Sequence, residues 1–495
     1  MMPFMTFRRE LLKVVKFSTM LVILMASSVE ASRRPNVVLI LADDLGWNDT
    51  SLNDGSKFHR TPHLTRLAAR GMAFSRAYAA SPLCSPTRAS ILTGQNPTRT
   101  GITAANCHLP VARLKPTRRP ADPTEKLMES ESATRLDTRY VTLAESLAAA
   151  GYATGHFGKW HLGRTPYSPL QHGFDVDFPR WAGPGPGRSY FAPWRYNRVK
   201  ANEPGEHIED RLAKEAIQWM EKQTRAGQPF FLNYWQFSVH APFEAKKERI
   251  KKYLAVADPK QPQHSPTYAA MVETLDENLG RILDAVDRLG IGDNTVFVFL
   301  SDNGGNIHRK IDNTVPTSNA PLRGGKGTIY EGGVRVPCVV LWPGLTKPGS
   351  RSSEIIQSTD FYPTLLDGLK IPRPAGTQFD GMSIMPALKG MPLKRKGIFT
   401  YFPHIAGVPD QLPPAIAVTT GKWKLIRLFH QGDLNAHQYR LYNLKSDPGE
   451  TTDLSALEPG RVKALDMMIE RHLTETRALV PIPNPSYTPD GAESQ

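Results

Sequence analysis

The hydrophobic pattern from residue 36 onward alternates short, continuously apolar runs with longer amphipathic segments. Residues 36–42 (NVVLILA) are almost entirely apolar and rich in branched side chains, which is typical of a strand buried on both faces. Residues 142–150 predict a helix, because Thr142 and Glu145 can form a capping box and Gly151 follows the end. Similar patterns predict helices at 209–224 and 268–289, and strands at 152–156, 230–237, 295–300 and 336–342.

This alternation predicts an α/β fold in which a large, mostly parallel sheet is sandwiched between helices. After about residue 390 the pattern changes to short strand candidates at 397–402, 415–420 and 423–428, followed by a helix at 460–476. The change predicts a smaller α+β domain that contains an antiparallel sheet. We therefore assign residues 32–388 and 389–480 to two domains, 481–495 to a disordered tail, and 110–140 to a surface insertion.

Residues 1–31 have the pattern of an export signal. Basic residues precede a short apolar run at 17–26, and Ala31 is a small residue at the expected cleavage point. The run is short for a membrane span, and an uncleaved anchor is the alternative. No later stretch is long and apolar enough to cross a bilayer. The sequence thus predicts an exported protein, periplasmic or secreted, with no transmembrane segment after cleavage of the signal.

Length, net charge and cysteine content indicate the number of domains, the kind of partner and the absence of a disulfide framework. The chain has 495 residues and a formal net charge of +14, so its length favours two domains and its surface should attract anions. Charge alone leaves both nucleic acid and sulfated polysaccharide open as partners. The three cysteines, Cys84, Cys107 and Cys338, allow at most one disulfide, and we predict none because an exported protein of this size needs no disulfide framework.

Acidic side chains follow two of the predicted strands directly. Asp43 and Asp44 come after the first strand, and Asp302 and Asn303 come after the strand at 295–300. Separately, the first pair could cap a helix and the second could form a turn. If strand ends bring them together, they provide three carboxylates and one amide oxygen, which are hard oxygen ligands that suit Ca²⁺ or Mg²⁺ rather than zinc.

Basic residues in loops form a second group. Lys159 and His161 follow one predicted strand, His240 follows another, and Lys326 stands in a glycine-rich loop. A single basic residue in a loop usually lies on the solvated surface. Here several loops carry basic residues, and some of these residues stand beside glycines that permit close approach of the backbone. With Arg88, this cluster suits a tetrahedral anion better than an internal carboxylate.

Residues 84–90 (CSPTRAS) place Cys84 two positions before Pro86 and four before Arg88. Alone, this could be a buried cysteine ahead of a helix that begins at Pro86. Together with the acidic and basic groups, in the same chain order, it resembles the signature of the type I sulfatases, whose cysteine becomes formylglycine. The resemblance runs from about residue 34 to 386 and resumes more weakly at 441–450.

The resemblance implies an alkaline-phosphatase-like fold and a sulfuric ester hydrolase similar to arylsulfatases and N-acetylgalactosamine sulfatases. It implies that a maturation enzyme converts Cys84 to formylglycine, and that the expected ion is Ca²⁺, with Mg²⁺ as the alternative. The implied metal ligands are Asp43, Asp44, Cys84, Asp302 and Asn303. The implied catalytic residues are Cys84, Arg88, Lys159, His161, His240 and Lys326, of which Lys159, His240 and Lys326 would also bind the substrate.

Export, the basic charge and a large insertion favour a sulfated carbohydrate as the substrate, with no nucleic acid as partner. The insertion at 110–140 and the stretch at 179–194, rich in proline and glycine, are predicted to shape substrate choice. Two other functions stay open. One is a formylglycine-dependent phosphodiesterase or phosphonate hydrolase, because both ester types are tetrahedral anions. The other is a polysaccharide-binding homologue without catalytic activity.

Overall fold

The computed structural model describes residues 34–53, 58–196, 198–258, 260 and 264–488. The predicted export signal at 1–31 and the end of the predicted tail, 489–495, lie outside these residues. None of the helices in the described part of the chain combines the length and apolar character that a membrane crossing requires.

The chain forms seventeen strands and eleven α-helices within the described ranges. The strands are β1 (Asn36–Ala42), β2 (Met72–Tyr78), β3 (Thr117–Arg118), β4 (Leu127–Met128), β5 (Ser130–Glu131), β6 (Ala153–Gly158), β7 (Val176–Phe178), β8 (Phe230–Trp235), β9 (Thr295–Ser301), β10 (Arg335–Leu341), β11 (Ser350–Ser352), β12 (Ile356–Gln357), β13 (Ile398–Phe402), β14 (Ala415–Thr420), β15 (Trp423–Leu428), β16 (Gln438–Asn443) and β17 (Ile482–Pro483). The helices are α1 (Pro62–Arg70), α2 (Cys84–Thr93), α3 (Pro97–Thr100), α4 (Leu143–Ala149), α5 (Ile208–Arg225), α6 (Lys247–Leu254), α7 (Pro266–Arg288), α8 (Glu331–Val334), α9 (Phe361–Gly368), α10 (Met385–Leu388) and α11 (Pro459–Thr476).

A nine-stranded sheet organises the larger part of the molecule. Its order is β11-β2-β10-β9-β1-β8-β6-β7, with β12 also paired to β2. The pairs from β9 through β1, β8 and β6 to β7 are parallel, and β10 is antiparallel to both of its neighbours. The prediction of a large, mostly parallel sheet is therefore confirmed.

The central strand β1 shows why the sheet needs helices on both faces. Val38 and Ile40 pack into one hydrophobic cluster with α1, α5 and α7, while Val37 and Leu39 pack into another with α2, α4 and α9. Successive side chains of a strand point to opposite faces, so a continuously apolar strand requires apolar cover on each side. The predicted capping box of Thr142 and Glu145 is present at the start of α4.

The C-terminal region contains the predicted antiparallel sheet, in the order β13-β14-β15-β16. Val418 and Leu425 on one face of this sheet pack against Ile469 of α11. Ala417 and Ile426 on the other face pack against Tyr330, which precedes α8. The second sheet therefore supports the loop that leads into α8, and this loop contains Lys326.

A buried ionic cluster adds to this support. Lys424 of β15 lies 3.1 Å from Glu331 at the start of α8 and 2.9 Å from Glu450, and all three side chains are buried. The hydroxyl of Tyr78 donates to Glu331 over 2.8 Å. Since an unpaired buried charge is costly, the cluster fixes the second sheet against the first.

The predicted disordered tail is wrong for residues 481–488. Ile482–Pro483 pairs with Leu127–Met128 of the predicted surface insertion, and the Asn484 amide nitrogen donates to backbone carbonyls of that insertion. Composition indicated a chain too polar and proline-rich to bury a core. It could not reveal that the insertion offers strand edges and carbonyl groups to which such a segment binds.

Candidate active site

The residues predicted to carry chemistry meet at the carboxyl ends of four adjacent parallel strands. The order β9-β1-β8-β6 places these ends side by side, where functional groups collect in parallel sheets. Asp302 and Asn303 follow β9, Asp43 and Asp44 follow β1, His240 lies in the loop after β8, and Lys159 and His161 follow β6. Helix α2 begins at Cys84 against the same edge.

The acidic side chains form a compact group around the cysteine. Ligand-capable atoms of Asp43, Cys84 and Asp302 lie within 4.8 Å of one another, as do those of Asp43, Asp44 and His240. The Asn303 amide nitrogen donates to Asp44 Oδ1 over 2.8 Å. Asp43 Oδ1 and Asn303 Oδ1 are buried and have no hydrogen-bond partner among the described residues. Two unpartnered buried oxygens beside further carboxylates fit a divalent cation with oxygen ligands.

Three basic side chains, of which Lys326 is partly exposed, balance the three carboxylates. Lys159 Nζ donates to Asp43 Oδ2 over 2.6 Å, and Lys326 Nζ donates to Asp44 Oδ2 over 2.7 Å. Arg88 donates to Asp302 Oδ2 through Nε at 2.9 Å and Nη2 at 2.7 Å. The cluster is therefore formally neutral before any ligand binds. It can accept a divalent cation and an anionic substrate together, with the carboxylates available to the cation and the basic side chains to the anion.

Cys84, His161 and His108 form a chain of two consecutive side-chain contacts. Cys84 Sγ is 3.4 Å from His161 Nδ1, and His161 Nε2 is 3.0 Å from His108 Nδ1. The Ser85 hydroxyl donates to the His161 carbonyl over 2.8 Å and so holds the backbone of this residue. Sequence reasoning missed His108. Its position directly after Cys107, just before the insertion at 110–140, gave no signal that it reaches the site.

Burial and charge shift the pKa values of the site residues in different directions. Burial raises the pKa of the Cys84 thiol, because a thiolate is disfavoured away from water. Burial, reinforced by nearby lysines, holds the pKa values of His161 and His240 well below their usual range. Burial alone would raise the pKa of Asp44, but Lys326 and His240 outweigh it and lower this pKa. These shifts favour the neutral imidazoles before a ligand binds, and a bound sulfate group would raise both pKa values and favour protonation.

The loop that carries His240 is fixed by two buried side chains that the sequence did not single out. Glu209 of α5 accepts hydrogen bonds from the backbone amides of Phe237 and Ser238 at 2.8 and 2.7 Å. The Tyr190 hydroxyl lies 2.8 Å from the carbonyl oxygens of both Phe237 and His240. These contacts position the imidazole without touching its ring.

Close backbone packing also shapes the site. Gly158, at the end of β6, has a φ of +117°, and a Cβ there would lie 1.8 Å from the Trp235 carbonyl oxygen. Asp44 and His161 have φ values of 65° and 54°, in the left-handed region that residues other than glycine rarely adopt. Such strained residues persist where the surrounding structure over-determines them, as at functional sites.

The structure brings all ten predicted site residues into one cluster. Their contacts run through the acidic group, the three cations and the line from Cys84 to His161, with His240 Nε2 at 3.9 Å from Asp44 Oδ2. Trp160, which stands between Lys159 and His161, is only 1% exposed. Cys84, Cys107 and Cys338 are buried free thiols.

Comparison with known proteins gives the family. The sulfatase family model matches residues 35–371, and that of the N-sulphoglucosamine sulphohydrolase C-terminal region matches residues 325–478. A sulfatase of Formosa agariphila is 32% identical over 92% of this chain and 91% of its own length. N-acetylgalactosamine-6-sulfatase of Mus musculus is 33% identical over 80% of this chain and 72% of its own length.

Solved structures agree with these sequence relatives. The crystal structure of Ps i-CgsB in complex with k-i-k-neocarrahexaose superposes with a TM-score of 0.73 and 27% identity, and the match covers 92% of this chain and 95% of that one. Together with the site geometry, these similarities establish that the chain belongs to the sulfatase family and is a sulfuric ester hydrolase.

Proposed function

We propose that this protein is an exported sulfatase that removes sulfate from a sulfated glycan, with formylglycine derived from Cys84 as the nucleophile. The observation that carries the proposal is the position of Cys84, which lies against carboxylates, three basic side chains and His161 at one sheet edge. Two similarities support the glycan assignment. One relative is named N-acetylgalactosamine-6-sulfatase, and one similar structure is a complex with k-i-k-neocarrahexaose. Export rests on the pattern of residues 1–31.

Maturation would replace the side-chain sulfur of Cys84 by oxygen and leave an aldehyde at Cβ. This is a two-electron oxidation at Cβ in which the sulfur leaves as sulfide, and the maturation enzyme would pass the two electrons to molecular oxygen or another two-electron acceptor. Water then adds to the aldehyde and gives a hydrate with two hydroxyl groups on one carbon. The first position of α2 suits this nucleophile, because the positive end of a helix dipole favours an anionic substrate nearby.

In the first step, one hydroxyl oxygen attacks sulfur and the bond from sulfur to the leaving alcohol breaks. His240 or Lys326 protonates the departing oxygen. Lys159 and Lys326 turn from their carboxylate partners toward the sulfate oxygens, where they offset charge that develops in the transition state. In the second step, the remaining hydroxyl gives its proton to His161, the aldehyde re-forms, and the bond to sulfate breaks.

The acidic group would hold the metal ion of this reaction. Asp43, Asp44, Asp302 and Asn303 provide oxygen ligands, and an oxygen of matured residue 84 completes the set. When bound, a divalent cation acts as a Lewis acid and lowers the pKa of a coordinated hydroxyl group. The hard oxygen donors favour Ca²⁺, with Mg²⁺ as the alternative.

The proposal is tested by comparing ester classes on the purified, matured protein. We expect release of inorganic sulfate from sulfated mono- and oligosaccharides, and much slower hydrolysis of an aryl phosphodiester and an aryl phosphonate. Faster turnover of the phosphorus esters would assign the protein to the phosphodiesterase alternative. Failure to hydrolyse any ester, with formylglycine present at residue 84, would leave only the non-catalytic alternative.

Lys326→Ala is expected to lower kcat for a sulfate ester by about 10²–10³ and to change KM much less. The lysine exerts its main effect on kcat because charge on the leaving oxygen grows only in the transition state. Lys310→Ala, which removes an exposed lysine from the preceding loop, is the matched control and should keep full activity. Steady-state sulfate release measures both, and a Lys326→Ala rate within about threefold of the parent would contradict the assignment.

A further inference from the structure

A basic pocket lies beside the candidate active site, outside the cluster of reacting groups. It has a volume of about 240 Å³. Its walls come from the loop after His161 and from the stretch rich in proline and glycine. The side chains that define it are Arg164, Arg180, Arg195, Arg198, Trp181 and Asp177.

The four arginines of this pocket are exposed to solvent. No ion pair joins any of them to an acidic side chain within the described residues, whereas Arg211 on the neighbouring helix α5 pairs with both Glu206 and Glu215. Four guanidinium groups around one pocket repel one another, and a bound anion would relieve that repulsion.

Asp177 does not neutralise the pocket. It is the only acidic residue among the described residues that line it. Burial raises the pKa of Asp177 to about 7, although Arg180 opposes the shift. The carboxyl group is therefore only partly ionised at neutral pH, and the pocket keeps a strong positive charge.

Contacts on two sides connect the walls of the pocket to the candidate active site. Arg164 Nη2 donates to the His108 carbonyl over 3.2 Å, and His108 contacts His161. On the other side, Trp181 Nε1 donates to the Gly185 carbonyl over 2.7 Å, and a Cβ on Gly185 would lie 3.3 Å from His240 Nδ1. These contacts place the pocket next to the segments that carry both histidines, within reach of a sugar unit adjacent to one bound at the site.

We infer that this pocket is a binding subsite for a second anionic group, a sulfate or carboxylate, on a sugar unit next to the one that is cleaved. Guanidinium groups bind sulfate and carboxylate oxygens in pairs, and the indole of Trp181 provides an apolar surface for a sugar ring. The inference rests on the proposed function. It adds that the preferred substrate is a polyanionic oligosaccharide and not an isolated sulfated monosaccharide.

The test measures binding on a Cys84→Ala background, in which no turnover occurs. The probes are a chondroitin 6-sulfate hexasaccharide and a carrageenan hexasaccharide, titrated by calorimetry at several salt concentrations. Adding Arg180→Gln and Arg195→Gln should weaken the tighter of the two complexes about tenfold or more and should reduce its salt dependence. Adding Arg225→Gln, an exposed arginine at the end of α5, is the matched control and should change affinity less than about twofold.

Circular dichroism checks that each variant is folded, and the single Arg195→Gln variant replaces the pair if the pair is unstable. The inference is overturned if the protein with Arg180→Gln and Arg195→Gln binds as tightly as the Arg225→Gln control. It is also overturned if neither hexasaccharide binds the Cys84→Ala protein. Sulfate release from sulfated mono- and oligosaccharides by the matured wild-type protein is followed separately. Absence of that activity would refute the proposed function, whereas intact activity with unchanged hexasaccharide binding would refute the subsite alone.

Discussion

Cys84→Ala is expected to abolish sulfate ester hydrolysis while the protein remains folded. Alanine cannot be converted to an aldehyde, so the reaction loses the atom that bonds to sulfur. The remaining cations and carboxylates could still bind substrate, but binding without a nucleophile gives no covalent step. We expect a fall in kcat to the detection limit, measured as inorganic sulfate released from a sulfated oligosaccharide.

Cys338→Ala is the matched control for this change. Cys338 is a buried thiol of β10 that lies opposite Leu300 of β9 and is not one of the ten site residues, so its removal should lower kcat far less than removal of Cys84. Because both substitutions remove one buried sulfur atom, a difference between them isolates the chemistry of residue 84. Comparable activity in the two variants would exclude residue 84 as the nucleophile.

Removal of the divalent cation is expected to have the second large effect. Lewis-acid stabilisation by a metal contributes several kcal/mol, so chelation should lower kcat by about a thousandfold or more. Added Ca²⁺ should restore the activity. Asn303→Ala removes one predicted ligand without leaving a buried charge unpaired, and it should weaken both Ca²⁺ binding and turnover.

Asp293→Ala is the control for the metal variant, since Asp293 is exposed at the opposite end of β9. Elemental analysis of the purified protein gives the identity and amount of the ion. Full activity after complete chelation would contradict a catalytic cation. Tightly bound zinc would contradict the assignment of Ca²⁺, although not the requirement for a metal.

The sequence predicted the architecture well because its strongest signals are local. The apolar run of β1 required burial on both faces, and the capping box at Thr142 fixed the start of α4. The acidic and basic site residues could be grouped from the sequence alone, because each follows a strand and parallel strand ends share one edge. Their catalytic roles stay predictions, which the variants above test.

Other features depend on contacts between distant segments, which local patterns do not record. His108 contacts His161, which lies 53 positions later in the chain. Residues 481–488 are ordered by strand pairing and hydrogen bonds to the insertion at 110–140. The basic pocket likewise combines the loop after His161 with arginines from positions 180 to 198. In each case, a residue or segment without a recognisable motif acquires its role through contact with a segment that is distant in the sequence.

The most direct test of the account is the mass of the peptide that contains residue 84, measured on active protein. Conversion of the thiol to an aldehyde should make this peptide about 18 Da lighter than its cysteine form. Oxidation of the sulfur to sulfenic, sulfinic or sulfonic acid would make the peptide heavier instead. We expect sulfate release to rise in proportion to the fraction of the lighter peptide across preparations. Fully active protein that contains only the unmodified Cys84 thiol would contradict the account.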